Sequence, residues 1–575
     1  MKAVMICGTA SDVGKTRIVT GICRMLARRE IKVAPFKAQN MSLNSYVTKD
    51  NKEVARSIAS QAQAAKCTLE AEMNPILLKP MANAKSQLVL LGKPHSERSS
   101  YEFVEKSAHN NFLSQKVKDS YFALAKKFDV IVLEGAGGAA EINLLENDIV
   151  NLPLAYQLGI PAILIADIER GGAFSSIYGT YQILPDHLRK QLVGFIVNKM
   201  RGDAALIKGA ISWLEQNTDL KCLGVIPYLE NISVDGEDSL SYEQRSKVDI
   251  SATNGSYSNL LPKVSQDGTE PSKNIGRNHF LVKSDNPGNH QVFDTLDIVV
   301  IKLPHLANYT DFDPLFLESS LSVRFVTSPF AIGIPDVVIL PGSKDSVRDL
   351  LWLKSIGLAA AIGELAKYKT TILGICAGYQ MLGHEIADEV ESKLGTVEGL
   401  GLLPVKTSFS PEKITKLSVG KSLFPVSVNV MGYEIHHGRI FPIDTGVIEP
   451  LFVMENIERN DEQCRYYFEE KDCDPTYLAE AVNATEAGKV FFYEGALRRD
   501  RSVLGTSWHG IFEADGFRDA FFGHIAKKVN KQIMLSGFSY AGAREEEIDK
   551  LADVCEQYID TDLFWKILNK NQERM

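Results

Sequence analysis

"MICGTASDVGKTRIVTG", residues 5–21, runs from an apolar strand through a glycine-bearing loop into a helical pattern. Gly14-Lys15-Thr16 reads as the end of a phosphate loop. Glycine lets backbone N–H groups close around phosphate, and the N-terminus of the following helix adds partial positive charge. From there Lys15 can reach the β- and γ-phosphates, and the Thr16 hydroxyl can ligate Mg²⁺. The spacing departs from the common motif. Five residues separate Gly8 from Gly14 where the motif has four, and Thr9 takes the place of the first glycine. A chance glycine turn is the rival reading, but strand, loop and helix all agree.

Working outward, "AVMIC", "VIVLEG", "AILIAD" and "GFIVNKM" read as buried parallel strands, with amphipathic stretches such as "GKTRIVTGICRMLARRE" between them. This is the rhythm of a doubly wound α/β domain over residues 1–235. Residues 236–292 are rich in Ser, Asn, Asp and Gly and read as a polar linker or insertion. At "LDIVVIKLP" the α/β rhythm resumes and defines a second domain over 293–525, interrupted by a polar, acidic insertion at 455–480. The final segment, 526–575, reads as helical.

With 575 residues, the chain is too long for one hydrophobic core. Its net charge of −9 supplies no basic field for nucleic acid. No apolar run has the length to cross a bilayer, and "MKAVMICGTA" is too short in its apolar part for a signal peptide. Eight scattered cysteines without a CxxC pair favour reduced thiols in a cytoplasm.

A phosphate loop needs a carboxylate to finish its metal site. Glu134 ends an apolar strand in "FDVIVLEGAGG", where an acid is costly to bury, which favours a metal or substrate role over a helix cap. Asp148 in "EINLLENDIVNLP" and Asp167 ending "AILIAD" are further acids, each of which could equally cap a helix. Asn198, after "GFIVN", could hydrogen-bond adenine or simply make a turn.

A second site centres on "ILGICAGYQMLG", residues 372–383. Cys376 stands between Gly374 and Gly378 in the form of a nucleophile elbow, where glycines permit a strained strand-to-helix turn. The Ala377 N–H would face an oxyanion, and a helix N-terminus favours thiolate. A small buried cysteine is the competing reading, which the flanking glycines disfavour. A nucleophilic thiol needs a base. His509 in "VLGTSWHGIFEADGF" is a candidate, with His436 and His437 in "MGYEIHHGRI" as rivals. Gly342 and Ser343 in "PDVVILPGSKDS" could complete the oxyanion hole.

Together these stretches resemble the cobyric acid synthases, glutamine-hydrolysing amidotransferases of the cobalamin pathway in the CobB/CobQ family. The likeness rests on "KAQNMSLNSYVT" (37–48), "MNPILLKP" (73–80), "EGAGGAAEINL" (134–144), "DIVNLPLA" (148–155), "ADIERGGAF" (166–174) and "NKMRGD" (198–203) in the first half. In the second half it rests on "LPHLANYTDFDPL" (303–315), "LPGSKDS" (340–346), "GICAGYQMLG" (374–383), "GYEIHHG" (432–438) and "GTSWHGIF" (505–512). The resemblance implies a dethiobiotin synthetase-like P-loop domain followed by a class I glutamine amidotransferase domain. It implies Cys376 as nucleophile, His509 as proton shuttle, and the Gly342 and Ala377 amides as oxyanion hole. ATP would be held by Thr9, Asp12, Gly14, Lys15, Thr16 and Asn198, and Mg²⁺ by Thr16 and Glu134. Glu53 is a weaker candidate for the metal shell, and Asp148 would serve substrate activation. The partners implied are L-glutamine and a corrinoid, adenosylcobyrinic acid a,c-diamide, whose b, d, e and g carboxylates would be amidated. The expected protein is cytoplasmic, binds neither nucleic acid nor membrane, and admits a homo-oligomer.

One departure concerns the glutaminase site. Many class I glutaminases carry a glutamate two residues after the histidine. Here that position is Ile511, and Glu513 stands two further on. A Cys–His dyad is therefore expected, with no residue assigned to orient His509. The alternatives weighed are cobyrinic acid a,c-diamide synthase, CTP synthase, and a regulatory P-loop ATPase with an inactive glutaminase domain. CTP synthase usually keeps the His-x-Glu element missing here. An intact Cys376 and His509 argue against the regulatory reading.

Overall fold

The computed structural model describes residues 2–81, 85–99, 108–229, 279–282, 291–454 and 492–570. The 455–480 insertion lies outside these. So does the 236–292 linker, apart from 279–282 and 291–292. These belong to a hairpin of His279–Val282 with Gln291–Asp294.

The first half is built on a six-stranded parallel sheet. Its order is Lys221–Pro227, Leu192–Met200, Ala162–Asp167, Lys2–Gly8, Val130–Glu134, Val33–Phe36. The four strands expected from the apolar runs are all present, and all are parallel. Side chains along Lys2–Gly8 alternate between two cores, as a strand buried on both faces requires. Ala3, Met5 and Cys7 enter one core; Val4 and Ile6 enter the other. The strand order turns around Lys2–Gly8, the position at which doubly wound sheets open a crevice at their carboxyl edge. The phosphate loop leaves from that edge.

The second half has a seven-stranded sheet ordered Leu321–Val326, Leu296–Ile301, Val337–Leu340, Thr371–Ile375, Val503–Thr506, Ala496–Arg498, Ile448–Glu449. The first five strands are parallel and the last two antiparallel. Beside it lies a second sheet, dominated by the antiparallel pair Val405–Ser422 and Asn429–Pro442. This long pair reaches the first domain, where Lys413 contacts Glu53 at 2.6 Å.

The C-terminal segment is helical, but its first helix, Asp515–Lys528, begins inside the second domain rather than at residue 526. The chain then returns to the first domain. Helix Tyr540–Tyr558 lies along the phosphate-loop helix Lys15–Ala27. A Cβ on Gly21 would stand 2.5 Å from Cys555 Sγ and 2.6 Å from the Leu551 carbonyl oxygen. Ile548, Leu551, Ala552, Cys555, Phe564 and Leu568 complete the core on that face of the sheet. Arginines on Lys15–Ala27 and just beyond it pair with acids on the returning helix: Arg24 with Glu545 at 2.5 Å, Arg28 with Asp549 at 3.0 Å, Arg29 with Glu556 at 2.6 Å. Among the described residues no helix is long and apolar enough to cross a membrane.

Candidate functional sites: a phosphate loop and a thiol elbow

The loop between Gly8 and Lys15 holds two residues in the left-handed region, Asp12 at φ 56° and Gly14 at φ 97°. Any side chain at Gly14 would meet Asn198 Nδ2 at 2.3 Å. Asn198 donates that amide to the Val13 carbonyl at 2.8 Å, so it braces the loop from strand Leu192–Met200, two strands away in the sheet. Lys15 folds back over the loop, donating to the Ala10 and Gly137 carbonyls at 3.1 Å each. These carbonyls occupy an ammonium poised where phosphate oxygens would lie. Thr9 donates its N–H to the Ile165 carbonyl at 2.9 Å, which ties the loop to the sheet. Asp12 lies at the exposed rim, where Lys199 donates to its carbonyl at 2.7 Å.

Thr16 Oγ1 donates to Glu134 Oε1 at 2.8 Å, so the two expected metal ligands meet although 118 residues separate them. Lys37 Nζ contacts the same oxygen at 2.9 Å, and the Gln61 amide donates to the other. Burial alone would raise the Glu134 pKa; the Lys37 ammonium and the Thr16 and Gln61 donors bring it below the usual carboxylate range. Two hard oxygen donors at the foot of a phosphate loop suit Mg²⁺, with Lys37 sharing the carboxylate. No local pattern in the sequence marks Lys37 or Gln61 for this cluster. Lys37 opens "KAQNMSLNSYVT", and a lysine at a strand end facing the loop was the signal available.

Other expectations change. Glu53 is not at this cluster. Its carboxylate is held between Lys79 and Lys413, each at 2.6 Å, because the hairpin Ser45–Val47 and Glu53–Ala55 faces the second domain. Burial pushes the Lys413 ammonium down to about 8, against the opposing pull of Glu53. Asp167 pairs with Lys199 at 2.8 Å. Asp148 accepts from the Val150 and Asn151 N–H groups at 2.6 and 2.9 Å, an Asx-type turn ahead of helix Leu152–Leu158, and burial raises its pKa.

In the second domain, Cys376 ends strand Thr371–Ile375 with φ 52° and ψ −106°. A non-glycine residue there is strained, as a nucleophile elbow demands. Gly378 permits the turn: a Cβ would lie 1.9 Å from the Leu340 carbonyl oxygen. Ala377 is the first residue of helix Ala377–Leu382, so its N–H has no intrahelical acceptor. Gly342 lies against the imidazole, where a Cβ would come within 2.7 Å of His509 Cε1. The Ser343 hydroxyl is committed to Asp349 at 2.6 Å.

His509, rather than His436 or His437, is the histidine beside the Cys376 thiol. His436 is bound to Glu434 and the Gly438 carbonyl, and His437 to the Ser410 carbonyl. The expected dyad has a third member. Asp311 accepts from His509 Nδ1 at 2.7 Å through one oxygen and from the Gly510 N–H at 2.8 Å through the other. Burial opposes charge on His509, yet Asp311 and the Cys376 thiol carry its pKa up to about 10. The arrangement sets a histidine held by Asp311 beside the thiol, as a nucleophile and its base require. Glu513, near in sequence, points elsewhere and pairs with Arg56 at 2.7 Å; Ile511 is core. Asp311 lies in the quoted motif "LPHLANYTDFDPL", but nothing in its spacing marks it among neighbouring acids.

Comparison with known proteins follows this division. Residues 4–241 match the CobQ/CobB/MinD/ParA nucleotide binding domain, and residues 297–517 match the CobB/CobQ-like glutamine amidotransferase domain. A cobyric acid synthase of Streptomyces coelicolor is 37% identical, covering 98% of this chain and 96% of that one. One of Geobacillus thermodenitrificans is 38% identical, covering 99% of each chain. A probable cobyric acid synthase of Methanosarcina barkeri is also 38% identical over 99% of each.

Proposed function

The chain belongs to the cobyric acid synthase family, and from that premise we propose that it amidates the b, d, e and g carboxylates of adenosylcobyrinic acid a,c-diamide. It is a glutamine-hydrolysing carbon–nitrogen ligase with a nucleotide-binding domain, acting on glutamine and a corrinoid. The observation that carries the finer reading is the presence on one chain of two sites, the Lys15–Thr16–Glu134 cluster and the Cys376–His509–Asp311 set.

In the glutaminase half, the Cys376 thiolate attacks the glutamine side-chain carbonyl. The Ala377 and Gly342 amides receive the oxyanion. His509 gives its proton to the departing nitrogen, and ammonia leaves. Water then attacks the thioester, with His509 accepting the proton, and glutamate is released. Asp311 keeps the imidazole in the tautomer and orientation this exchange requires.

In the other half, a corrinoid carboxylate attacks the γ-phosphorus of ATP, ADP departs, and an acyl phosphate forms. Ammonia displaces phosphate from the acyl carbon and loses a proton to give the amide. Lys15 and the loop amides hold the phosphates, and Asn198, which braces the loop beside them, is the candidate for contacting adenine. Thr16 and Glu134 would hold Mg²⁺, which neutralises charge on the transferring phosphoryl group. Lys37 stands beside them with a positive charge for the same region. Asp148, a half-buried carboxyl next to Asn151, is the candidate for substrate activation. Producing ammonia inside the protein keeps it unprotonated, and an acyl phosphate needs a site that excludes water.

The test is a mass spectrum of adenosylcobyrinic a,c-diamide incubated with the protein, Mg·ATP and glutamine. Stepwise mass loss to the fully amidated product, only with ATP, supports the proposal. Acceptance of cobyrinic acid in place of the diamide moves the assignment to a,c-diamide synthesis. Inertness toward both refutes a corrinoid ligase of either kind.

A further inference from the structure

Asp311 sits on the turn Tyr309–Phe312, whose preceding residue, Asn308, has φ 52° and ψ 43°. Asparagine adopts that left-handed conformation more readily than most residues, and here contacts from outside the turn reinforce it. The support comes from the ATP-binding half. Asn308 Oδ1 accepts from the Ser45 N–H at 2.9 Å, and Asn44 Oδ1 accepts from the Tyr309 N–H at 3.0 Å. The Asn308 N–H donates to the Leu43 carbonyl at 3.3 Å. Both asparagines are buried, Asn44 at 4% and Asn308 at 3% exposure, so water does not compete for these bonds.

Two more contacts reach the other side of His509. Arg56, at the start of helix Arg56–Ala64, donates to Glu513 at 2.7 Å, and Glu513 closes the turn that follows His509 and Gly510. Tyr46 packs on Tyr433 with ring centroids 5.2 Å apart. Tyr433 in turn stacks on His509 at 5.4 Å and exchanges backbone hydrogen bonds with it at 2.9 and 3.1 Å. The Arg56 N–H donates to the Asn44 carbonyl at 3.1 Å, which joins the two sets. The Asp311 turn, the Tyr433 strand and the Gly510 turn each therefore touch residues 43–56.

We propose that residues 44–56 of the ATP-binding half complete the glutaminase site, with Asn44, Asn308 and Arg56 as positioning residues for the His509–Asp311 pair. This rests on the glutaminase reading of Cys376 and His509. The pair lies between a turn and a strand that both contact residues 43–56. Displacement of residues 44–56 shifts Asp311 from His509 Nδ1 and slows ammonia release, so glutamine is consumed when the two halves are docked. By linkage, the same contacts carry any bias in the opposite direction.

The experiment uses full-length Asn44→Ala, Asn308→Gly and Arg56→Ala. Glycine at 308 keeps the left-handed backbone without the amide, so its effect reports the lost clasp rather than strain. Glutamate release is compared with amidation of adenosylcobyrinic a,c-diamide supported by ammonium chloride. The glutaminase kcat is expected to fall about tenfold or more in each variant, with KM for glutamine within about twofold, because small misplacement of a catalytic pair is enough. The alkaline limb of the kcat profile moves to lower pH, since Asp311 no longer holds the imidazolium, and ammonia-supported amidation stays near wild type. Arg56→Lys, which keeps the charge facing Glu513, recovers most of the loss. Unchanged glutaminase kcat and pH profile in Asn44→Ala and Asn308→Gly overturns the proposal. So does an equal fall in both activities, the sign of general destabilisation. Cys376→Ala is run alongside. Glutamine hydrolysis surviving in it sinks the underlying glutaminase reading instead, whatever the clasp variants do.

Discussion

Asp311→Asn removes one charge and almost no volume. In the parent protein the carboxylate takes one hydrogen bond from His509 Nδ1 at 2.7 Å and one from the Gly510 N–H at 2.8 Å, with both side chains 2% exposed. A hydrogen bond to a charged group is worth about 1.5–3 kcal/mol. Losing the partner of a buried charge costs about 3–5 kcal/mol when nothing else compensates. Only one of the neighbours of the imidazole is changed and the Cys376 side chain stays beside it, so the lower range applies, about 2–3 kcal/mol. At about 1.4 kcal/mol per tenfold, the glutaminase kcat falls roughly 10²-fold. The amide can also present its NH₂ to Nδ1 and select the wrong tautomer, which acts in the same direction. The pH dependence has a definite sign. The folded His509 pKa is raised to about 10 against an ordinary 6.5, so the charged pair persists through neutrality and is lost as pH rises through the folded value. Without Asp311 that value drops, and the alkaline limb moves toward neutrality. Glutamate release across pH 6 to about 10.5, coupled to glutamate dehydrogenase, reads both effects. A variant within about threefold of wild type, with an unmoved alkaline limb, would show that Asp311 does not orient His509.

Two contrasts separate the sites. Cys376→Ala is expected to abolish glutamine-dependent amidation while leaving amidation with added ammonium salt; loss of both in a folded variant refutes the division of labour. Lys15→Ala is expected to lose amidation from either nitrogen source, and retained product by mass spectrometry removes Lys15 from phosphate binding. Gly21→Leu tests the returning helix. Because a Cβ there already meets Cys555 and the Leu551 backbone, overpacking should cost about 1–3 kcal/mol and lower the thermal midpoint. An unchanged midpoint would mean that helix Tyr540–Tyr558 does not pack against the phosphate-loop helix.

What the sequence determined by itself was local. A strand, a glycine loop and Lys15-Thr16 are contiguous, so the phosphate loop was legible in a single stretch. The elbow was legible for the same reason: Gly374, Cys376 and Gly378 lie within five residues, and their backbone needs are intrinsic to residue type. Alternation of apolar runs with helical patterns gave the two α/β units, since burial on both faces of a parallel strand leaves a continuous hydrophobic signature. Tertiary structure decided the partners. Asp311 meets His509 across 198 residues, and it is one of 72 acids with no local feature to mark it. Lys37 and Gln61 converge on Glu134 because the sheet order places their strand and helix beside Val130–Glu134, an order that no periodicity encodes. Glu53 moved from a metal candidate to an interdomain ion pair because a hairpin turned it toward Lys413. The returning helix was readable as a helix, but its seat on Lys15–Ala27 depends on Gly21, a gap that exists only once the two surfaces meet. Residue type and period act over a few residues; which side chains face one another is set by the closure of long loops, and only the folded chain specifies it.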